Sequence, residues 1–467
     1  MLKNRSKSAT KETIKHMFPA VGIAILAGAL GFSALYISPV PMVQDFGKML
    51  KIGVIISFVA CIFFLVPILF TRDYFFTQES KKNLKTRQGG FEKALGFITK
   101  VTVKQGPFIL IAALLLTVLG VTGDLKAGVE TDIEKFMPKD TKELTEIHQL
   151  RDVLGTTDQV VIMYEGDYLL EEKSIRWVDK LTTSVGDEFP EVIVNTKSIT
   201  SILKTMNDGE LPEPSELQSQ IADLPANQLK MVMTEQHDKG VILIGVKHLG
   251  AADMKQFIED LSVYIESMNE LDLSVTLTGK SVLDVEMISA LTTGRYEMTL
   301  LGIGLVFLVL LIVYRHPVKA LVAILPISLI VGWSGGIMYL FDFDYTPLTA
   351  TLGALIIGIG TEFTILIMER FYEERRKGKV RQEAVMIAVQ KIGKAIIASG
   401  LTVIGGFSAL IISDFVILSN FGVMTVINMT LCLVSTLIVL PPILVMLDRL
   451  VKTKQQDHAI INGKVVH

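Results

Sequence analysis

LTATLGALIIGIGTEFTILIM, residues Leu348–Met368, is a 21-residue run with one ionisable side chain, Glu362. Wound as a helix at 1.5 Å per residue it is about 31 Å long, close to the roughly 30 Å hydrocarbon core of a bilayer. Seven further runs resemble it in length and apolarity: Met17–Ile37, Ile52–Phe70, Pro107–Gly123, Met298–Tyr314, Val318–Leu340, Ala395–Ile412 and Gly422–Leu447. Such a set does not occur together in a water-soluble fold. The fold class expected is a polytopic α-helical membrane protein with about eight transmembrane helices. The first run is too long for a cleaved signal peptide, and a second span follows it at once.

The composition describes two materials in one chain. Of 467 residues 50% are hydrophobic and mean hydropathy is +0.48, yet 20% are charged, so a sizeable part faces water. A formal net charge of −3 offers no basic excess for a nucleic-acid partner. The two cysteines, Cys61 and Cys432, both lie inside apolar runs, which excludes a disulfide scaffold. Seven histidines show no metal-ligand spacing and no Ser-His-Asp arrangement, so no catalytic residue, cofactor or metal is expected.

Charge also orients the chain. Basic residues crowd Met1–His16, Thr71–Gln105, Arg315–Pro317 and Arg370–Lys394, whereas the alternate loops Ser38–Gly47, Phe341–Tyr345 and Ser413–Asn420 carry Asp. By the positive-inside rule both termini are expected in the cytoplasm of a multi-pass cell-membrane protein. Asp124–Gly294 holds 32 Asp and Glu against 15 Lys and Arg, a net of −17, which leaves the remainder at +14. This acidic region is expected outside. Its pattern alternates: strand Gln159–Tyr164, helix Glu171–Val185, strand Val192–Asn195 and helix Ile199–Met206 come first. After a proline-rich connection follow strand Val241–Val246, helix Asp253–Met268, strand Leu273–Thr278 and helix Val282–Leu291. Two β-α-β units of this kind predict a small α+β domain. The turn Thr278-Gly279-Lys280-Ser281 joins strand to helix, but the glycine a phosphate loop needs five residues earlier is Ser274. It reads as a helix cap.

The chain also repeats itself. A shift of 375 residues lays Gly31-Phe32-Ser33-Ala34-Leu35 on Gly406-Phe407-Ser408-Ala409-Leu410 without a gap. The same shift pairs Ser38 with Ser413, Phe46-Gly47 with Phe421-Gly422, Met49 with Met424, Pro67-Ile68-Leu69 with Pro442-Ile443-Leu444, and Asp73 with Asp448. Two unrelated apolar segments match at scattered Leu and Ile, not in this register. The first two spans therefore look like the end of a second block, and transporters built from such repeats hold their site where the repeats meet.

At these residues the chain resembles a known family. Val103–Leu450 is similar to one half of a resistance-nodulation-division exporter, in the branch of hydrophobe and amphiphile exporters that includes the mycobacterial membrane protein large family. The resemblance rests on Val129-Glu130-Thr131-Asp132, Gly279-Lys280-Ser281, Gly358-Ile359-Gly360-Thr361-Glu362-Phe363, Arg370-Phe371-Tyr372-Glu373-Glu374, Gly406-Phe407, Phe421-Gly422 and Pro441-Pro442. Met17–Asp73 is similar to the last two spans of the other half. The resemblance implies a secondary active transporter rather than an enzyme, coupling inward proton flow to outward movement of a lipid-like molecule. It also implies that the external region is a porter domain of ferredoxin-like βαβ units. On this reading 1–73 is the end of an incomplete first repeat and 74–105 a cytoplasmic linker with an amphipathic helix, Gly90–Val103. Then come a span at 106–123, the porter domain at 124–294, a five-helix bundle at 295–450 and a cytoplasmic tail at 451–467.

Two departures stand out. The family motif Gly-x-Gly-x-Asp-Tyr ends here in Glu362-Phe363, so the carboxylate is one methylene longer and the phenol is gone. Four spans and an external domain of the first half are missing as well. The implied partners are membrane lipids, an amphiphilic substrate, and either a second copy or a complementary half-transporter subunit.

Glu362 is the expected proton-relay residue, roughly 20 Å along its helix. An ionised carboxylate there costs several kcal/mol unless paired or hydrated. Thr361 and Thr364, with Ser399 and Thr402 on the next span, are the hydroxyls expected to form its path, and Asn428 is a further polar candidate. Gly358 and Gly360 are expected to let that next span approach closely, and Gly406, Phe407, Phe421 and Gly422 to serve as structural motif residues. The competing readings are a Glu362 that snorkels toward Glu369 and Arg370, a SecD/SecF-like translocation factor, and a truncated protein that binds a lipid or partner without transporting.

Overall fold

The computed structural model describes residues 2–75, 90–130, 134, 138, 141–156, 158–271 and 273–451. Residues 76–89 of the expected linker and 452–467 of the expected tail lie outside the described residues. The chain forms two compact units, Met1–Val129 with Ala290–His467, and Glu130–Ser289. The first contains α1 (Leu2–Ser33), α2 (Pro41–Ala60), α3 (Val66–Phe75), α4 (Gly90–Lys104) and α5 (Gly106–Asp124). The second contains α6 (Lys142–Leu154), β1 (Asp158–Glu165), α7 (Glu172–Glu188), β2 (Ile193–Lys197), α8 (Ile199–Met206), α9 (Leu217–Ala222), α10 (Ala226–Val232), β3 (Lys239–Val246), α11 (Ala251–Met268) and β4 (Ser274–Thr278). Helix α12 (Lys280–Tyr314) leads back to the first unit, which α13 (Pro317–Leu340), α14 (Leu352–Arg376), α15 (Arg381–Ser408), α16 (Val416–Val434) and α17 (Leu440–Leu447) complete.

Among the described residues, eight helical stretches are long and apolar enough to cross a membrane: Phe18–Ile37, Pro41–Arg72, Gly106–Asp124, Lys280–Tyr314, Pro317–Leu340, Thr349–Arg376, Arg381–Ile412 and Val416–Leu450. In lipid no hydrophobic force draws helices together, so close packing and hydrogen bonds decide which faces meet. Small residues let α5 and α13 touch. A Cβ on Gly120 would strike the Gly332 carbonyl oxygen, and one on Gly336 would lie 2.6 Å from Gly120 Cα. Trp333 Nε1 donates across the same seam to the Ala113 carbonyl at 3.1 Å. Pro326 interrupts the hydrogen bonding of α13, since proline has no N–H. Neighbouring hydroxyls supply bonds there: Thr364 donates to Ala323 O at 2.9 Å and Ser435 to Pro326 O at 3.3 Å. Helix α4 buries Leu95, Gly96, Thr99 and Thr102 and leaves Phe91, Ile98 and Val101 exposed, so the apolar face expected for it is split.

The repeat in the sequence is a repeat in structure. Helix α1 runs into a tight 3-10 turn at Ala34–Ile37, and α15 into one at Ala409–Ile412. After α2 comes a wide π turn at Cys61–Leu65, and after α16 one at Ser435–Val439. Ser33 and Ser408 each donate to the carbonyl four residues back, at 3.2 and 2.7 Å. Ser38 and Ser413 each accept the backbone N–H two residues on, both at 3.2 Å. Gly47 and Gly422 are equally confined: an added Cβ would lie 2.7 Å from Leu35 Cβ and 2.9 Å from Leu410 Cβ respectively. Shared small-scale bonding of this kind follows from shared residues, not from apolarity alone.

The Glu130–Ser289 unit is built on a four-stranded sheet of order β2-β3-β1-β4 with every neighbouring pair antiparallel. One helix, α7, joins β1 to β2, and α11 joins β3 to β4; between the halves α8 is followed by the proline-rich connection, which folds into α9 and α10. Alternate residues Val160, Ile162 and Tyr164 of β1 and Ile242, Ile244 and Val246 of β3 are buried, as the period of two in a strand requires. Against them lie Ile175, Val178, Leu181 and Val185 of α7 and Phe257, Leu261 and Ile265 of α11. The Tyr164 ring sits over Gly240, its register partner, and burial pushes its phenol above the ordinary range. The turn at Gly279 takes φ +108, a conformation that glycine alone adopts freely, and α12 begins at the next residue.

Candidate functional site

Glu362 lies on α14, half-buried, and lines a cavity of about 470 Å³. The other walls include Ala24 and Ile25 of α1, Gly53 and Ser57 of α2, and Cys61. The lining is apolar apart from Glu362, Ser57 and the Cys61 thiol. Glu362 makes no hydrogen bond or ion pair among the described residues. The wall is close because glycine meets glycine: a Cβ on Gly28 would lie 3.0 Å from Gly358 O and 3.8 Å from Glu362 Oε1. The Phe32 ring covers Gly358 from the same side. The helix that approaches Gly358 is therefore α1, from the other copy of the repeat, and not the next span α15.

The remaining relay candidates sit elsewhere. Gly360, two places after Gly358, and Thr361 and Thr364, one place before and two after Glu362, point to other faces of the helix, since each step turns about 100°. Gly360 faces Cys432 Sγ, 3.3 Å from where its Cβ would be, with Ile327 behind. Thr361 is fully buried and donates to the Ile357 carbonyl, while Thr364 donates to Ala323 O. Ser399 and Thr402 are exposed on α15, and Thr402 donates to its own helix at Ala398 O, 2.9 Å. Asn428 on α16 is buried, and neither its Oδ1 nor its Nδ2 has a hydrogen-bond partner among the described residues. None of the five bonds Glu362. Of the motif residues, Phe407 and Phe421 meet edge to face with ring centres 6.0 Å apart, Gly422 presses on the turn after α15, and Gly406 is open.

At the far end of α14, Arg370 is held by Glu373 at 2.6 Å and Glu374 at 2.5 Å. The buried Asp448 carboxylate accepts from Arg375 Nε and Arg381 Nε, both at 3.0 Å, and so ties the ends of α14 and α15 to the turn after α17. Pairing two arginines with one buried carboxylate satisfies charges that would be costly alone.

A second polar cluster was not legible in the sequence. Arg295 of α12 is 6% exposed and donates from Nη2 to Asp124 O at 2.9 Å and to the Tyr296 hydroxyl at 2.6 Å. Its Nη1 lies 3.4 Å from Asp124 Oδ1, and its guanidinium stacks 3.7 Å from the centre of the Tyr345 ring. Tyr345 in turn donates to Asp124 Oδ1 at 2.5 Å, and burial, then the Asp124 charge, hold its phenol protonated above the ordinary range. Together these residues fasten α5, α12 and the loop before α14. The signal available beforehand was weak: an Asp closing one apolar run and an Arg before another, 171 residues apart.

The family model described as MMPL family matches residues 174–462. The chain belongs to the MMPL family. Among the proteins it is similar to, a membrane protein of Methanocaldococcus jannaschii is 26% identical over 360 residues, covering 74% of this chain and 92% of that one. The apo-petrobactin exporter of Bacillus anthracis is 25% identical over 222 residues, 44% of this chain and 29% of the exporter. The solved hedgehog release protein Disp of the water bear Hypsibius dujardini shares the fold, with a TM-score of 0.69 at 12% identity. That match covers 96% of this chain and 61% of Disp. The chain thus spans nearly all of the archaeal relative, less than a third of the exporter and somewhat under two thirds of Disp. It is a multi-pass membrane protein of a transporter family, with an RND-like fold.

Proposed function

We propose that this protein is a secondary active transporter that exports a hydrophobic or amphiphilic, lipid-like molecule, driven by protons passing through Glu362. The observation that carries the reading is the setting of Glu362: a carboxylate with no partner among the described residues, near the middle of the span Thr349–Arg376, opening on an apolar cavity. A carboxylate in such a place exchanges a proton whenever the wall beside it moves and admits or excludes water. Phe363, where the family motif has tyrosine, leaves it without the neighbouring phenol, so water or a moving side chain takes that part. Both termini lie in the cytoplasm and the acidic Glu130–Ser289 unit lies outside, in keeping with the basic loops at 71–105 and 370–394. The strand order β2-β3-β1-β4 with one helix in each half supports a ferredoxin-like porter domain for that unit. Export as a class of activity agrees with the apo-petrobactin exporter among the relatives; that cargo is the relative's own.

The test compares a strain lacking the gene with one carrying it or its Glu362→Gln variant. Lipids and amphiphiles of the medium and outer surface are profiled by mass spectrometry. Export predicts at least one apolar species that is lost on deletion, restored by the wild type and not by Glu362→Gln. Identical profiles in all strains contradict it.

A further inference from the structure

A groove of about 840 Å³ runs along α5 and shares no lining residue with the cavity of Glu362. It extends from Phe108 to Lys126, about 27 Å at 1.5 Å per residue and close to the thickness of a bilayer's hydrocarbon core. Two features of the sequence open it. Helices α5 and α13 meet backbone to backbone at Gly120, Gly332 and Gly336, so their seam brings no bulky side chain to fill the space beside it. Opposite, the helix after α16 widens into the π turn Ser435–Val439, whose last two residues line the groove. Such turns within helices are frequent at functional sites. The flanks are apolar and open: Leu119 is 66% exposed and Leu340 75%.

Four side chains of the lining carry a polar atom. Trp333 Nε1 donates to the Ala113 carbonyl at 3.1 Å and Thr122 Oγ1 to the Leu119 carbonyl at 2.9 Å, so neither asks anything of an occupant. The Lys126 ammonium and the Tyr339 hydroxyl are different: neither has a partner among the described residues. Both stand at one end of the groove, since Tyr339 Cδ1 lies 3.2 Å from where a Cβ on Gly123 would be, one helical turn before Lys126. Lys126 is also the one charged residue of the lining. The groove is therefore amphiphilic with a definite sense, a cation and a hydroxyl donor at one end and hydrocarbon along the rest. It is longer than half a bilayer, so it encloses the whole reach of an acyl chain from one leaflet. We propose that it binds an anionic phospholipid of the surrounding bilayer, with the phosphate on Lys126 and Tyr339 and an acyl chain along α5. A basic side chain without a counter-ion at the edge of the hydrocarbon attracts an anionic headgroup, whereas a zwitterionic headgroup brings its own competing cation. The site rests on the membrane-spanning fold and not on transport, so its failure leaves the role of Glu362 untouched.

The chain has two tryptophans, Trp333 in this wall and Trp177 in the Glu130–Ser289 unit. With Trp177→Phe, fluorescence reports on the groove alone. The protein is reconstituted in phosphatidylcholine bilayers in which a fixed fraction of the lipid, either phosphatidylglycerol or phosphatidylcholine, carries bromine on its acyl chains. Bromine quenches only a tryptophan that it touches. Brominated phosphatidylglycerol is expected to compete for Trp333 about fivefold better than brominated phosphatidylcholine, the preference that one basic residue near the surface gives. Lys126→Gln is expected to abolish that preference and Lys126→Arg to keep it. Lys48→Gln, which removes an ammonium paired with Asp45 on α2, is expected to leave it unchanged. The chain with both tryptophans should show the same preference, which separates the result from any effect of Trp177→Phe on folding. Equal quenching by the two lipids would reveal an ordinary lipid-facing wall, and no quenching by either a groove covered by protein, such as a second copy. A preference that survives Lys126→Gln would put the headgroup elsewhere. Each of these three results would overturn the proposal.

Discussion

Phe46 and Phe421 occupy equivalent positions of the repeat, and their rings meet edge to face, 5.7 Å between centroids with planes at 88°. Two equivalent residues touch each other only near the axis that relates them. The axis of this molecule therefore passes between α2 and α16. An edge-to-face pair is worth about 1 kcal/mol beyond its packing. In a double-mutant cycle, Phe46→Leu and Phe421→Leu are expected to couple by about that amount in thermal unfolding of the protein in nanodiscs. Simple additivity would show that the two rings stabilise separately.

Arg295 makes a second prediction. Removing one member of a buried ion pair leaves the other charge uncompensated and costs about 3–5 kcal/mol. Arg295→Met should lower the unfolding midpoint strongly, and Tyr345→Phe, which loses one donor to Asp124, by a smaller step of about 1–2 kcal/mol. The pair Arg295→Met with Asp124→Asn should fall short of the summed single effects. A full sum would mean that the residues do not act together.

The Asp448 carboxylate holds two arginines, so Asp448→Asn should cost more than Arg375→Gln or Arg381→Gln alone, again within about 3–5 kcal/mol. Limited proteolysis of the Arg376–Arg381 connection reads this directly. Cleavage should accelerate in Asp448→Asn, and an unchanged rate would show that the ion pairs do not hold the turn.

Gly28 tests the wall beside Glu362. Its Cβ position lies 3.0 Å from the Gly358 carbonyl oxygen, so Gly28→Ala forces a small shift and Gly28→Leu displaces α1. A maleimide at Cys61, the exposed cysteine of the cavity, is expected to react faster in Gly28→Leu than in Gly28→Ala or wild type. Equal rates would place the rigidity of the cavity elsewhere.

The spans, the strands of the external region and the repeat were legible because each is a local signal. Run length, a period of two, and Gly-Phe-Ser-Ala-Leu in register all survive without knowledge of the packing. The contacts of Glu362 were not legible for a reason that Ser399 and Thr402 make plain. They lie on the span after Glu362 and at a plausible depth, but helices adjacent in sequence do not present every face to each other. The repeat says which residues are equivalent; only the fold says that α1 is the helix against Gly358. Arg295 and Asp124 escaped for a related cause, since each closes or opens an apolar run where a lone charge is ordinary.

The most direct measurement is proton movement in inverted membrane vesicles from the organism that makes the protein, with the chromosomal gene carrying Glu362→Gln, so that any partner is present. A pH-sensitive dye inside the vesicles reports protons crossing when a gradient is imposed. The reading of Glu362 as the relay predicts a protein-dependent flux in wild type that falls to the level of a deletion strain in Glu362→Gln, with equal amounts of protein in the membrane. A flux in Glu362→Gln equal to wild type would contradict it.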